Sequence, residues 1–154
     1  MPTARASRRI AAPAQELWEL INDPHHLPRW WPRVSSVEDV EGSEFTEVMR
    51  TARGKIVRAD YSVMACNPAA WTVTWRQRVE GTPFARLLSA AETELTLSPD
   101  AGAGAGVGAA ATDVTIEVRQ TLTGFFPRFG GWMVRRAAAD TIEQALDGLE
   151  RISA

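Results

Sequence analysis

The stretch Gly131–Ile152, GWMVRRAAADTIEQALDGLERI, is where the chain declares its architecture. Val134, Ala138, Thr141, Ile142, Ala145, Leu149 and Ile152 recur every three or four residues, so they share one face of a helix. Arg135, Arg136, Asp140, Glu143, Asp147, Glu150 and Arg151 take the other face. Arg136–Asp140 and Asp147–Arg151 have i,i+4 spacing, each pairing contributing about 0.2–0.5 kcal/mol. At 1.5 Å per residue the helix is roughly 33 Å long, enough to cross a whole sheet.

Upstream of that helix the period changes to two and stays there for most of the chain. Arg33 to Glu41, Phe45 to Thr51, Ile56 to Ala65, Trp71 to Val79, Ser89 to Leu97 and Thr112 to Thr123 read as strands. They are separated by Glu41-Gly42-Ser43-Glu44, Ala52-Arg53-Gly54-Lys55, Asn67-Pro68, Gly81-Thr82-Pro83 and a Gly/Ala-rich connection from Pro99 to Ala111. Short turns between consecutive strands predict an antiparallel meander. Before it, Thr3 to Ala11 reads as a first strand and Pro13 to Ile21 as a short helix with Pro13 in its opening turn. Pro24, Pro28 and Pro32 confine HHLPRWWP to a turn or two of helix. The expected class is α+β: a curved antiparallel sheet of six to seven strands around one long C-terminal helix, with two short helices after the first strand.

Composition narrows the function classes. The chain has 154 residues, the size of one domain, so a single domain over 1–154 is expected. A formal net charge of −2 argues against a nucleic-acid partner, which leaves a basic footprint. Cys66 is the only cysteine, which excludes an internal disulfide and points to a reducing compartment, the cytoplasm. Met1 to Ile10 lacks the apolar run of a signal peptide, and no stretch approaches the roughly 20 apolar residues of a membrane helix.

Several motifs fail their context. His25 and His26 point about 100° apart on a helix, so they read as a surface pair and no metal site is expected. Cys66 has no basic neighbours in sequence to lower its pKa and reads as a structural thiol. Gly104 to Ala109 matches a dinucleotide-loop variant but leads into a strand rather than a helix, so no nucleotide cofactor is expected. No G-x-S-x-G elbow is present.

IAAPAQELWELINDP after the first strand, RWWPRVSSVEDVEG, VEGTPFARLLSAAETELTL and the closing helix together resemble the START/Bet v 1-like (SRPBCC) superfamily, most closely its polyketide cyclase/dehydratase branch. The resemblance covers nearly the whole chain. It implies a helix-grip fold with an apolar cavity between sheet and helix. Lipid carriers, hormone receptors and aromatase/cyclases share that fold, so it does not by itself fix a role.

Strand alternation then assigns faces. Val57, Ala59, Tyr61, Val63 and Ala65 share one side, as do Trp71, Val73, Trp75 and Gln77, then Ala91, Thr93, Leu95 and Leu97, and finally Val114, Ile116, Val118, Gln120 and Leu122. On this reading the concave face is apolar, its polar members are Tyr61, Gln77, Thr93 and Gln120, and no acid or base falls on it. Arg50, Arg53 or Arg58 would reach the cavity only on a register shifted by one. The expected ligand-binding residues are Trp31, Tyr61, Trp75 and Trp132 as walls, Gln77 and Gln120 as polar anchors, and Phe84 with Phe129 as gates; plain core packing is the competing reading. The resemblance places the loops Ala52 to Lys55 and Glu80 to Phe84 over the cavity mouth. The expected partner is a hydrophobic small molecule: a lipid, an isoprenoid or an aromatic polyketide. A polyketide aromatase/cyclase-dehydratase is the first alternative, and a partner-binding module with a vestigial cavity is the second.

Overall fold

The computed structural model describes residues 3–51, 53–82, 85, 88–99, 110–123 and 128–153. The chain runs β1 (Thr3–Ile10), α1 (Ala14–Ile21), a 3₁₀ turn (Pro24–His26), α2 (Leu27–Trp30), β2 (Val34–Glu41), β3 (Glu44–Arg50), β4 (Ile56–Asn67), a second 3₁₀ turn (Pro68–Ala70), β5 (Thr72–Arg78), β6 (Leu88–Pro99), β7 (Thr112–Leu122) and α3 (Arg128–Ser153). The seven strands form one antiparallel sheet in the order β1-β7-β6-β5-β4-β3-β2. Only the link from β1 to β2 is not a neighbour-to-neighbour step. It carries α1 and α2 from one edge of the sheet to the other.

Local chemistry explains the punctuation. Pro13 precedes α1 with extended backbone, and Leu17, Trp18 and Ile21 form the buried face of that helix. The Asp23 carboxylate accepts from the His25 backbone N–H at 3.0 Å, capping the 3₁₀ turn. Gly42 at φ 59° supplies the left-handed residue of the β2–β3 hairpin.

The long helix buries Ala138, Ile142, Ala145, Leu146 and Leu149 against the sheet and the short helices. Ile142, Leu146 and Leu149 are fully buried, each contributing about 1.5–3 kcal/mol by leaving water. Leu146 completes a stripe that the sequence periodicity drew without it. On the flank of this helix, Arg8 of β1 bonds Asp147 and Glu143 (2.8 Å to Glu143), with Glu150 at 3.8 Å. One guanidinium thus spans acids on successive turns and ties the edge strand to α3.

One detail corrects the face assignment. A β-bulge between Val63 and Ala65 inserts Met64 as an extra residue, after which Ala65 opposes Thr74 and Cys66 opposes Val73. The bulge moves Ala65 off the concave side and puts Cys66 on it, where its thiol donates to Asn22 Oδ1 at 3.3 Å.

Candidate ligand cavity

The register of the sheet lines up side chains in rows running across the strands. One row reads Phe45, Tyr61, Gln77, Ala91 and Gln120 on β3 to β7. The next reads Val63, Trp75, Thr93, Val118 and Ala4. Beyond it Val73, Leu95 and Ile116 are wholly apolar and nearly fully buried. The floor of the fold is therefore graded, dry at one end and furnished with a phenol and two amides at the other.

Over the polar end, Val134, Ala137, Ala138 and Thr141 of α3 stand off the sheet and leave a cavity of about 290 Å³. Small residues on the helix make the gap: alanine methyls do not reach the floor. Trp31, Met49, Tyr61, Gln77, Leu88, Ala91, Thr93, Val118 and Gln120 complete its lining. A larger groove, about 480 Å³, lies along Ser62, Arg76 and Arg78 with Met64 and Glu80, where long outward-pointing side chains enclose solvent. It lacks the convergent apolar wall of a small-molecule site, and the smaller cavity is the better candidate.

Aromatic rings brace one wall. Trp31 meets Trp75 edge-to-face at 5.9 Å, Trp75 meets Phe45 likewise at 5.9 Å, and Phe45 stacks on Tyr61 at 5.4 Å. Such contacts add roughly 0.5–1.5 kcal/mol each beyond area burial and fix ring orientation. Of the expected binding residues, Trp31, Tyr61, Gln77 and Gln120 line the cavity, and Trp75 lies 4% exposed beneath Trp31. Trp132 stands elsewhere: it is 52% exposed, with the Arg136 guanidinium 5.4 Å above its ring. Phe84 lies outside the described residues, as does the side chain of Phe129. In the flanking loops, Gly54 and Gly81 adopt φ of 82° and 74°, a conformation glycine takes at little cost.

The expectation of a concave face without acid or base is overturned. Glu47 of β3 is 2% exposed, between Phe45 and Met49 on the cavity side and opposite Ala59. Tyr61 is its diagonal neighbour on β4, two positions on from Ala59. Burial pushes the Glu47 pKa up to about 7, with the nearby Tyr61 hydroxyl pulling the other way. Burial, together with the Glu47 charge, raises the Tyr61 phenol well above its usual range. The strand FTEVM held the signal, since alternation puts Glu47 in phase with Phe45 and Met49. Farther along the polar row, Gln120 Oε1 is buried without a hydrogen-bond partner among the described residues. His25 and His26 both turn to Asp23 at the surface, 2.8 and 3.8 Å away.

A family model described as polyketide cyclase/dehydrase and lipid transport matches residues 1–153. The chain belongs to that family. Among solved structures it resembles the di-domain aromatase/cyclase BexL from the BE-7585A biosynthetic pathway, with 23% identity and TM-score 0.78, covering 98% of this chain and 46% of that one. It also resembles the Zhui aromatase/cyclase from Streptomyces sp. R1128, with 16% identity, coverage of 98% and 92%, and TM-score 0.76. A START superfamily protein from Mycobacterium smegmatis is similar at 16% identity, coverage of 98% and 96%, and TM-score 0.74. No curated protein matches the chain. No described helix is long and apolar enough to cross a membrane.

Proposed function

We propose that this protein binds a compact, largely apolar, ring-containing small molecule between its sheet and α3. The observation that carries the reading is the cavity of about 290 Å³, with aromatic and aliphatic walls and three polar side chains, Tyr61, Gln77 and Gln120, along one row. Its volume lies at the small end of the roughly 300–1,000 Å³ typical of ligand pockets, which favours one or two fused rings over a large lipid. The unpartnered Gln120 Oε1 supports a ligand that brings a hydrogen-bond donor. Cys66 as sole cysteine supports a reducing compartment, with the cytoplasm as the site of action.

Native mass spectrometry of the purified protein, with denaturing extraction of the same sample, tests this. A stoichiometric apolar ligand is the expected result. An empty protein that also gives no thermal shift with aromatic, isoprenoid or fatty-acid probes would sink the binding reading. Gln120→Leu is expected to weaken an oxygenated bicyclic probe by about 1–3 kcal/mol while leaving its hydrocarbon analogue nearly unaffected; equal losses for both would place the amide outside the binding contacts.

A second reading, an aromatase/cyclase-dehydratase, is favoured by one observation: the Glu47 carboxyl, 2% exposed, lies on the cavity side of β3, where burial pushes its pKa up to about 7.

A further inference from the structure

We propose that Tyr61 and Glu47 form a proton relay that removes and returns the α-proton of a compact cyclic ketone held in the cavity; this rests on the binding reading above. Tyr61 is the one ionisable side chain among the described residues of the cavity lining. Behind it, Glu47 has no ion-pair partner among the described residues. Its neighbours on the same face are Phe45 and Met49 on β3, Val37 on β2, and Ala59 and Tyr61 on β4. The α3 residues over the cavity, Val134, Ala137, Ala138 and Thr141, are uncharged. Ion pairing therefore does not account for a carboxyl buried to this depth, in contrast to Asp147, which Arg8 engages at the surface. Its diagonal neighbour on β4 is Tyr61, whose side chain lines the cavity and whose hydroxyl is near enough to act on the Glu47 pKa.

Transfer runs in two linked moves. The proton leaving the ligand's α-carbon passes to Tyr61 Oη, while the Tyr61 hydroxyl proton passes to the Glu47 carboxylate. The C–H electron pair becomes the new C=C bond, and the carbonyl π pair moves onto oxygen as an enolate. Gln77 is the cross-strand partner of Tyr61 and lines the same cavity, and in this proposal its amide N–H donates to that oxygen. Reversal returns a proton to carbon, and no oxidant, reductant or other reactant is consumed. A carboxylate whose pKa lies near the working pH is the best matched final acceptor. Tyr61 is the catalytic residue here, and Glu47 acts through it as a positioning and relay residue.

The test is α-deuteration of 1-tetralone in D₂O followed by NMR, with binding of the same ketone read by quenching of tryptophan fluorescence. The wild-type protein is expected to bind the ketone and to exchange its C2 protons well above the buffer rate. That rate should rise with pH to a plateau, with a midpoint near the Glu47 pKa of about 7. Glu47→Gln and Tyr61→Phe should each retain binding within a few-fold and lose about 10²–10⁴-fold in exchange. Glu47→Gln should also lose the pH dependence, which a purely structural role would leave in place. Binding with exchange at the buffer rate would overturn the relay and leave the binding reading standing. Exchange by Glu47→Gln at the wild-type rate would overturn the part assigned to Glu47. No binding of the ketone would overturn the ligand class, while mass spectrometry of the extracted protein reports separately on whether the cavity holds a ligand at all.

Discussion

Gly148→Ala is expected to destabilise the protein by about 1–3 kcal/mol, at the upper end of that range because the obstruction is main chain. A methyl group at Gly148 would overlap the Trp30 carbonyl oxygen and lie 3.0 Å from the Trp30 C and Cα. No rotamer change removes a backbone clash, so α3 must back away from α2. Helix propensity alone pushes the other way: alanine in a helix interior is worth up to about 1 kcal/mol over glycine. The two effects differ in sign, which makes the experiment decisive. For a chain of this size the loss corresponds to a fall in Tm of roughly 2–10 °C. Gln144→Ala, at an exposed position on the same helix, serves as the control and should be nearly neutral. A neutral or stabilising Gly148→Ala would mean that the α2–α3 contact yields without cost. Because Trp31 follows α2 directly and forms part of the cavity wall, ligand affinity should fall with stability in this variant.

Glu47→Gln is expected to do the opposite, and in a pH-dependent way. The carboxyl has a pKa of about 7 in the folded protein against an ordinary value of 4.5. A carboxyl raised on folding favours the native state when protonated. Its contribution is therefore fully present below pH 4.5 and is lost as pH rises through 7. The difference amounts to about 3 kcal/mol. Glutamine keeps the shape, but it carries no charge to desolvate. Relative to wild type, the variant should gain stability steadily between pH 4.5 and 8, reaching about 3 kcal/mol at the top. Urea denaturation of both proteins across that range reads the effect directly, and parallel curves would rule out Glu47 as a group that titrates in the folded state.

Period and punctuation were enough to read the fold because each strand's pattern is set by its own residues. Trp71-Thr72-Val73-Thr74-Trp75 alternates visibly, and the observed β5 occupies Thr72–Arg78 as that alternation requires. The stripe from Val134 to Ile152 likewise announces a helix with one buried face. What escaped depends on pairing. The bulge at Val63 and Ala65 is a property of two strands together, so β4 read alone continues its alternation one face too long. Glu47 is in phase with Phe45 and Met49, yet a glutamate in a strand ordinarily faces water. The phenol beside it, Tyr61, lies fourteen positions later, on the next strand. Trp132 was drawn toward the cavity by its chemistry, whereas its phase sets it apart from Val134 and Ala138, and it lies against Arg136 instead.

The pairing of β1 with β7 has a consequence for the order in which the molecule is made. Ile10 sits opposite Thr112, and Thr3 opposite Arg119. During synthesis at about 5–20 residues per second, the first strand waits roughly 5–20 seconds for its partner to leave the ribosome. Over that interval Ala4 and Ile10, with Leu17, Trp18 and Ile21 of α1, have neither β7 nor α3 to cover them. The β2–β6 meander can form meanwhile from neighbours in sequence, so the sheet is complete only once β7 has been made and β1 has paired with it.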